Sequence, residues 1–263
     1  MRVVSGMIQQ WVSGYTPPGF RIIRSGRTQI GITRNELMPY LSLDELKEEG
    51  APGEGASGFF GRGRLKVFHL KNGETVLVRP YRHGGLVRWL TEEIFVTWPP
   101  RPFKELAITE EARRRGLPTL EIFAAWIERI WGPLYRGWLV TRELKGANDL
   151  WSVLLNELYA GSDKESLLHA VAQSVRTMHR QGIYHRDLNL KNILVRKEAG
   201  RIRTYIIDFD KAQLFSGAVP PGKAKRNLSR LLRSARKLDP DRRHLSQGDW
   251  ELFMNFFRKA DAG

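Results

Sequence analysis

The segments HRDLNLKNILV (residues 185–195) and YIIDFDKA (residues 205–212) place an aspartate, an asparagine and a second aspartate in a fixed order. Asp187 is followed five positions later by Asn192, and Asp208 closes an apolar run. Asparagine and aspartate supply hard oxygen ligands, which suit Mg²⁺ bridging phosphate groups. A nearby carboxylate that binds no metal is placed to orient an incoming hydroxyl and take its proton late. The four fixed residues His185, Arg186, Asp187 and Asn192 would recur at this spacing in a chain of this length at roughly one in a thousand by chance, before Asp208 is counted.

The order H-R-D-x-x-x-x-N and then D-F-x is that of a kinase catalytic loop and metal loop. Phosphoryl transfer asks little covalent work of a protein; it needs neutralised charge on the migrating group and an acceptor oxygen held in line. On that chemistry Asp187 is the expected base, and Asn192 and Asp208 are the expected metal ligands. His185 and Arg186 are expected to brace the loop. The expected fold is α+β, a bilobal protein-kinase-like architecture with a β-rich N-lobe over residues 1–145 and an α-helical C-lobe over 146–263. Gly146 offers hinge freedom at the boundary.

Upstream, the elements fall in the order such a fold requires. Residues 20–37 alternate apolar and polar side chains around Ser25-Gly26, a hairpin pattern. GAPGEGASGFFGRG (residues 50–63) concentrates glycine between extended segments, so Gly58, Gly61 and Gly63 are expected in a phosphate-covering loop whose backbone approaches the nucleotide closely. Residues 65–70 and 75–78 flank Lys71-Asn72-Gly73, a strong hairpin signal. In VLVR, residues 76–79, the slot where a phosphate-pairing lysine is usual holds Arg79; Lys66, on the preceding strand, competes for the role. A helix is expected over residues 103–115, and its Glu105 is the expected ion-pair partner, ahead of Glu110 and Glu111. Residues 138–144 read as a strand and 149–159 as a helix. A further helix is expected to open at Ser162, with Glu165 at capping-box spacing, to bury Leu167, Leu168, Val171, Val175 and Met178, and to stop at Gly182.

After Asp208 the usual glycine is Asp210, and no A-P-E follows. The segment that presents peptides in protein kinases is therefore short, which favours a small-molecule or glycolipid acceptor.

Of 263 residues, 43 are lysine or arginine and 28 are aspartate or glutamate, a net +15 that attracts anionic partners. The absence of cysteine excludes disulfides, thiol nucleophiles and cysteine-bound zinc. No window is apolar enough to span a membrane and the first residues lack the pattern of a secretion signal, so a cytoplasmic location is expected.

Four blocks resemble the lipopolysaccharide kinase family, which includes kinases of Kdo (3-deoxy-D-manno-octulosonic acid) and of core heptose in Gram-negative bacteria. They are VLVRPYRHGGLVRWL from Val76, RPFKELAITEEARRRGLPTLEIFAA from Arg101, YHRDLNLKNILV with IIDFDKA, and RNLSRLLRSARKL from Arg226. Together they cover roughly residues 55–240. The resemblance implies ATP and Mg²⁺ as cofactors and transfer to an inner-core sugar hydroxyl of a lipid A-linked glycolipid, at the cytoplasmic face of the inner membrane. By position the strand cation of the pattern falls on Arg79, its helix glutamate on Glu105, its base on Asp187 and its metal ligands on Asn192 and Asp208. Arg82, in RHGG, matches an R-x-G-G element. The chain departs from the pattern at Thr119, where valine is usual, and in its complete H-R-D.

An anionic core glycolipid calls for basic contacts. Arg82, Lys191, Arg226, Arg230 and Arg233 are the expected ones, the last three on one stripe of a helix. RWLTEEIFVTW, residues 88–98, reads either as an interfacial or as a buried aromatic segment. A protein serine/threonine kinase and a non-catalytic nucleotide- or nucleic-acid-binding module are the competing readings. Retention of Asp187, Asn192 and Asp208 disfavours the second, and no nucleic-acid partner is expected.

Overall fold

A computed structural model describes residues 14–42, 65–81 and 93–259. Contacts divide the chain into two compact units, one of Met1–Glu111 with Glu121–Glu143 and the other of Ala112–Leu120 with Leu144–Gly263.

The first unit is built on a six-stranded antiparallel sheet. Its strands are β1 (Phe20–Ser25), β2 (Gln29–Arg34), β3 (Lys66–His69), β4 (Thr75–Pro80), β5 (Ile122–Trp131) and β6 (Leu134–Arg142), in the order β1-β2-β5-β6-β4-β3. Alternation along β5 feeds two apolar layers. Ala125 and Ile127 point to the face that buries Phe95, Phe103 and Leu106, and Ala124 and Trp126 point to the face that buries Leu37, Val76 and Val140. Fully burying such side chains is worth roughly 1.5–3 kcal/mol each. Gly31 on β2 lies against the Trp126 ring, where an added Cβ would come within 2.4 Å of it. Helix α1 (Arg101–Arg114) buries Phe103, Leu106 and Ala112, and Gly116 at φ 82° ends it. The pattern read from sequence missed β5 as a strand, because its buried run alternates only weakly in polarity.

The second unit is helical around small sheets. Its elements are β7 (Asn148–Asp149), α2 (Leu150–Leu155), α3 (Ser162–Arg180), β8 (Ile183–Tyr184), β9 (Ile193–Glu198), β10 (Arg201–Ile206), β11 (Gln213–Leu214), α4 (Pro221–Leu238) and α5 (Gln247–Lys259). Strands β10-β9-β7 form one sheet and β11-β8 another. Helix α2 is shorter than the sequence pattern suggests, and Asp149 caps it by accepting from the Ser152 backbone N–H at 3.0 Å. The expected capping box at Ser162 is corrected: Gly161, at φ 62°, is the N-cap and Ser162 is already helical. The buried face of α3 is as read, with Leu167, Leu168, Val171, Val175 and Met178 all buried. Helix α5 packs on it through ring contacts of Phe256 with His169 and of Phe257 with His179.

Residues 112–120 join this unit through specific bonds. The Ile206 N–H donates to the Pro118 carbonyl at 3.1 Å, and the Arg115 guanidinium donates to the carbonyls of Gln181 and Phe215. Gly182, at φ 73°, sits so close to the carbonyls of Gly217 and Phe215 that a Cβ would come within 2.3 Å of the first. Glycine is required there both for conformation and for space.

Candidate active site

The loop after β8 holds itself by hydrogen bonds between close neighbours. His185 is buried; its Nε2–H donates to the Ile207 carbonyl at 2.8 Å and its Nδ1 accepts from the Asp187 N–H at 3.2 Å. One imidazole thus ties the residue preceding Asp208 to the backbone of Asp187. This pattern uses the neutral ring, and burial lowers the pKa of His185 from its ordinary value, opposed by the Ile207 carbonyl and the nearby carboxylates. The Phe209 ring lies 5.3 Å from that of His185 and is fully buried. His185 braces the loop, whereas Arg186 is exposed.

Two side-chain amides converge on the carbonyl of Asp187. Asn189 and Asn192 each donate from Nδ2 to it at 2.9 Å, while Asn189 Oδ1 accepts from the Lys191 N–H. The Asn192 carbonyl accepts from the Ile207 N–H at 3.0 Å, so the strand entering Asp208 is registered to the loop. Asp208 has φ 67°, a left-handed conformation that costs a non-glycine residue of order 1 kcal/mol and persists only where surroundings enforce it. Asp187 is exposed and Asn192 and Asp208 are half-buried.

Helix α4 fixes this loop from behind. Asn227 is fully buried; its Nδ2 donates to the His185 carbonyl and its Oδ1 accepts from His179 Nε2 at 3.1 Å. Seven residues on, Ser234 Oγ accepts from the Leu190 N–H at 3.3 Å. Burial lowers the pKa of His179, opposed by the bond to Asn227, and its Nδ1 has no hydrogen-bond partner among the described residues. The sequence reading singled out this helix for its arginines and missed Asn227. A lone asparagine between arginine and leucine in an amphipathic run was the available signal.

In the first unit, Arg79 on β4 and Glu105 on α1 form a close pair, Nη2 lying 2.6 Å from both carboxylate oxygens. Glu105 is buried and also accepts from the Tyr81 hydroxyl. The Arg79 guanidinium lies 5.1 Å from the centre of the Tyr81 ring. Glu110 instead pairs with Arg34 at 3.0 Å. Lys66 is half-buried on β3, opposite Val78.

The lipopolysaccharide kinase (Kdo/WaaP) family model matches residues 61–257. The chain belongs to that family. It is 33% identical over 187 residues to a 3-deoxy-D-manno-octulosonic acid kinase of Xylella fastidiosa strain 9a5c, covering 69% of this chain and 70% of that protein. A protein of the same name from Photobacterium profundum is 33% identical over 195 residues, covering 72% and 78%. Among solved structures, WaaP in complex with acyl carrier protein superposes with a TM-score of 0.52 at 22% identity, covering 80% of this chain and 78% of that one. The α+β kinase-like fold read from sequence is thereby borne out, and the protein is a phosphotransferase.

The remaining expected positions of this lipopolysaccharide kinase family member divide into three groups. Gly58, Gly61, Gly63 and Arg82 lie outside the described residues. Lys191, Arg226 and Arg233 are exposed. Arg230 is half-buried and donates to the Tyr184 hydroxyl at 2.8 Å, while the Lys223 ammonium lies 5.2 Å from the same ring's centre. Within the described part of residues 88–98, Phe95 is buried and Val96 and Trp98 are exposed, so the segment is neither wholly core nor wholly surface.

Proposed function

We propose that this kinase transfers the γ-phosphate of ATP to a hydroxyl of a lipopolysaccharide inner-core sugar, with Kdo on lipid A as the acceptor. The observation that carries the reading is the hydrogen-bonded catalytic loop, in which Asp187, Asn192 and Asp208 hang on one backbone network, in a chain of this family. Kdo follows from the names of the curated relatives. Core heptose is the alternative sugar.

In the proposed mechanism Asp187 accepts a hydrogen bond from the acceptor hydroxyl and aims its oxygen at the γ-phosphorus. As the new P–O bond forms and the bond to the β-phosphate oxygen breaks, the hydroxyl proton passes to Asp187 and then to solvent. Asn192 Oδ1 and the Asp208 carboxylate are the donors that would hold Mg²⁺, a set of hard oxygens that fits it. When bound, the ion neutralises charge on the nucleotide phosphates. Arg79, oriented by Glu105 and Tyr81, is assigned to the α- and β-phosphates, and Gly58, Gly61 and Gly63 to the loop covering them. Lys191, Arg226, Arg230, Arg233 and Arg82 are assigned to the anionic acceptor.

A protein-kinase reading would rest on the complete H-R-D. The path from Asp208 to α4 at Pro221 is short, however, and it is tied down by the β11–β8 pairing, which supports a glycolipid acceptor instead. We place the enzyme at the cytoplasmic face of the inner membrane; among the described residues no helix is long and apolar enough to cross a membrane. The test is mass spectrometry of Kdo–lipid A precursors, with and without core heptose, after incubation with ATP and Mg²⁺. One added phosphate on the Kdo-only acceptor is expected. Phosphate only on heptose-bearing acceptors selects the alternative, and transfer only to peptides overturns the reading.

A further inference from the structure

The far end of the first unit's sheet carries features that phosphoryl transfer leaves unused. At the β5–β6 hairpin tip Trp131 pairs with Leu134 across Gly132, and Trp131 is 77% exposed, Ile130 44%. Phe95 bridges Tyr135 by two backbone hydrogen bonds, which brings the next residue, Val96, 63% exposed, alongside the tip. Trp98 follows, 48% exposed. Four large apolar side chains thus stand in solvent on one projecting edge.

Arginines lie on the same hairpin and in the neighbouring turn. The Arg129 N–H donates to the Thr28 carbonyl at 2.8 Å, so the β1–β2 turn with its exposed Arg27 sits beside the tip. Arg136 is exposed on β6. The guanidinium groups of Arg27, Arg129 and Arg136 have no ion-pair partner among the described residues. Across residues 25–29, 95–98 and 127–136 the single acid is Glu128.

From this juxtaposition we infer that the hairpin tip is a docking surface for an anionic lipid bilayer, with Trp131, Ile130, Val96 and Trp98 entering the headgroup layer and Arg27, Arg129 and Arg136 bound to lipid phosphates. Tryptophan favours headgroup depth, and a ring of cations around exposed apolar groups is complementary to an anionic leaflet. A hairpin tip with four exposed apolar side chains is also small against the ~800 Å² per partner of a stable protein interface. The inference stands apart from the choice of acceptor sugar.

The full chain is sedimented with vesicles of phosphatidylethanolamine and phosphatidylglycerol, and separately with phosphatidylcholine vesicles. Binding to the anionic vesicles that weakens with salt is expected. The double variant Ile130→Ser, Trp131→Ser should lose roughly tenfold in partitioning. The triple variant Arg27→Gln, Arg129→Gln, Arg136→Gln should lose about a hundredfold, near fivefold per charge. Both should phosphorylate detergent-dispersed acceptor at the parent rate, a readout that fails separately if the acceptor assignment is wrong. Parent-like vesicle binding by either variant overturns the inference. So does a parent chain that ignores vesicles, or a tip variant whose only change is conversion of a dimer to a monomer.

Discussion

The loop at residues 185–192 of the second unit and the Arg79–Glu105 position of the first hold charged groups by different means. In the loop, Asp187 and Asn192 are fixed through main-chain atoms: His185, Asn189 and Asn192 all bond the Asp187 backbone, and Asn227 bonds that of His185. At Arg79 the pair is made between side chains, a guanidinium against a carboxylate that a tyrosine hydroxyl also binds. A backbone network leaves little room for substitution, because each bond has one donor and one acceptor at set positions. A side-chain pair needs charge and reach, and at this position one Arg79 nitrogen meets both Glu105 carboxylate oxygens.

The largest expected effect tests the loop. Asp187→Ala should lower kcat by about a thousandfold, within the range of a lost general base, and leave nucleotide affinity intact by calorimetry. Turnover at the parent rate would remove Asp187 from the mechanism.

Next comes the side-chain pair. Arg79→Met removes the guanidinium that lies 2.6 Å from the buried Glu105 carboxylate, and should cost about 1–3 kcal/mol of stability and most nucleotide binding. Arg79→Lys should retain the fold and lose only about tenfold in kcat/KM. Equal damage from both would show that this position is as exacting as the loop.

Asn227→Ala probes the loop's support. It leaves the His179 Nε2–H buried and unpaired and the His185 carbonyl with the Leu188 N–H at 3.3 Å, for an expected loss of about 1–3 kcal/mol by denaturant titration. Because Asn227 acts on Asp187 through His185, kcat should fall while the KM for ATP holds. A stability loss with unchanged kcat would make it structural only.

The smallest effect is on pH dependence. His179 and His185 are held neutral, with folded-state pKa values below the ordinary 6.5. As pH falls below that value the unfolded chain takes up protons first, so stability is full above it and is lost on acidification through the folded-state values. Thermal midpoints should therefore drop between about pH 7.5 and about pH 5.5. His179→Gln should flatten part of that slope, and an unchanged slope would place the acid sensitivity elsewhere.

Legibility in the sequence followed contiguity. HRDLNLKN and DFD carry their motif spacing within a few residues of one another, so Asp187, Asn192 and Asp208 stand out as candidates without coordinates. The Asn-Gly hairpin at residues 65–78, the α3 core stripe and the stop at Gly182 were readable because periodicity and turn chemistry are local. Strand β5 was not, since burial on both faces erases the alternation that marks a strand. The cap of α3 was misassigned by one residue because Gly161 outcompeted Ser162 for the position.

The order of residues alone determined the motif set, the net positive charge and the kinase-like element order, all properties of neighbours along the chain. Tertiary structure alone decided that Glu110 pairs with Arg34, that Asn227 holds the loop, and that Trp131 and the arginines near it share one edge. Those contacts join residues far apart in sequence, where spacing carries no information and only the packed backbone sets which side chains meet.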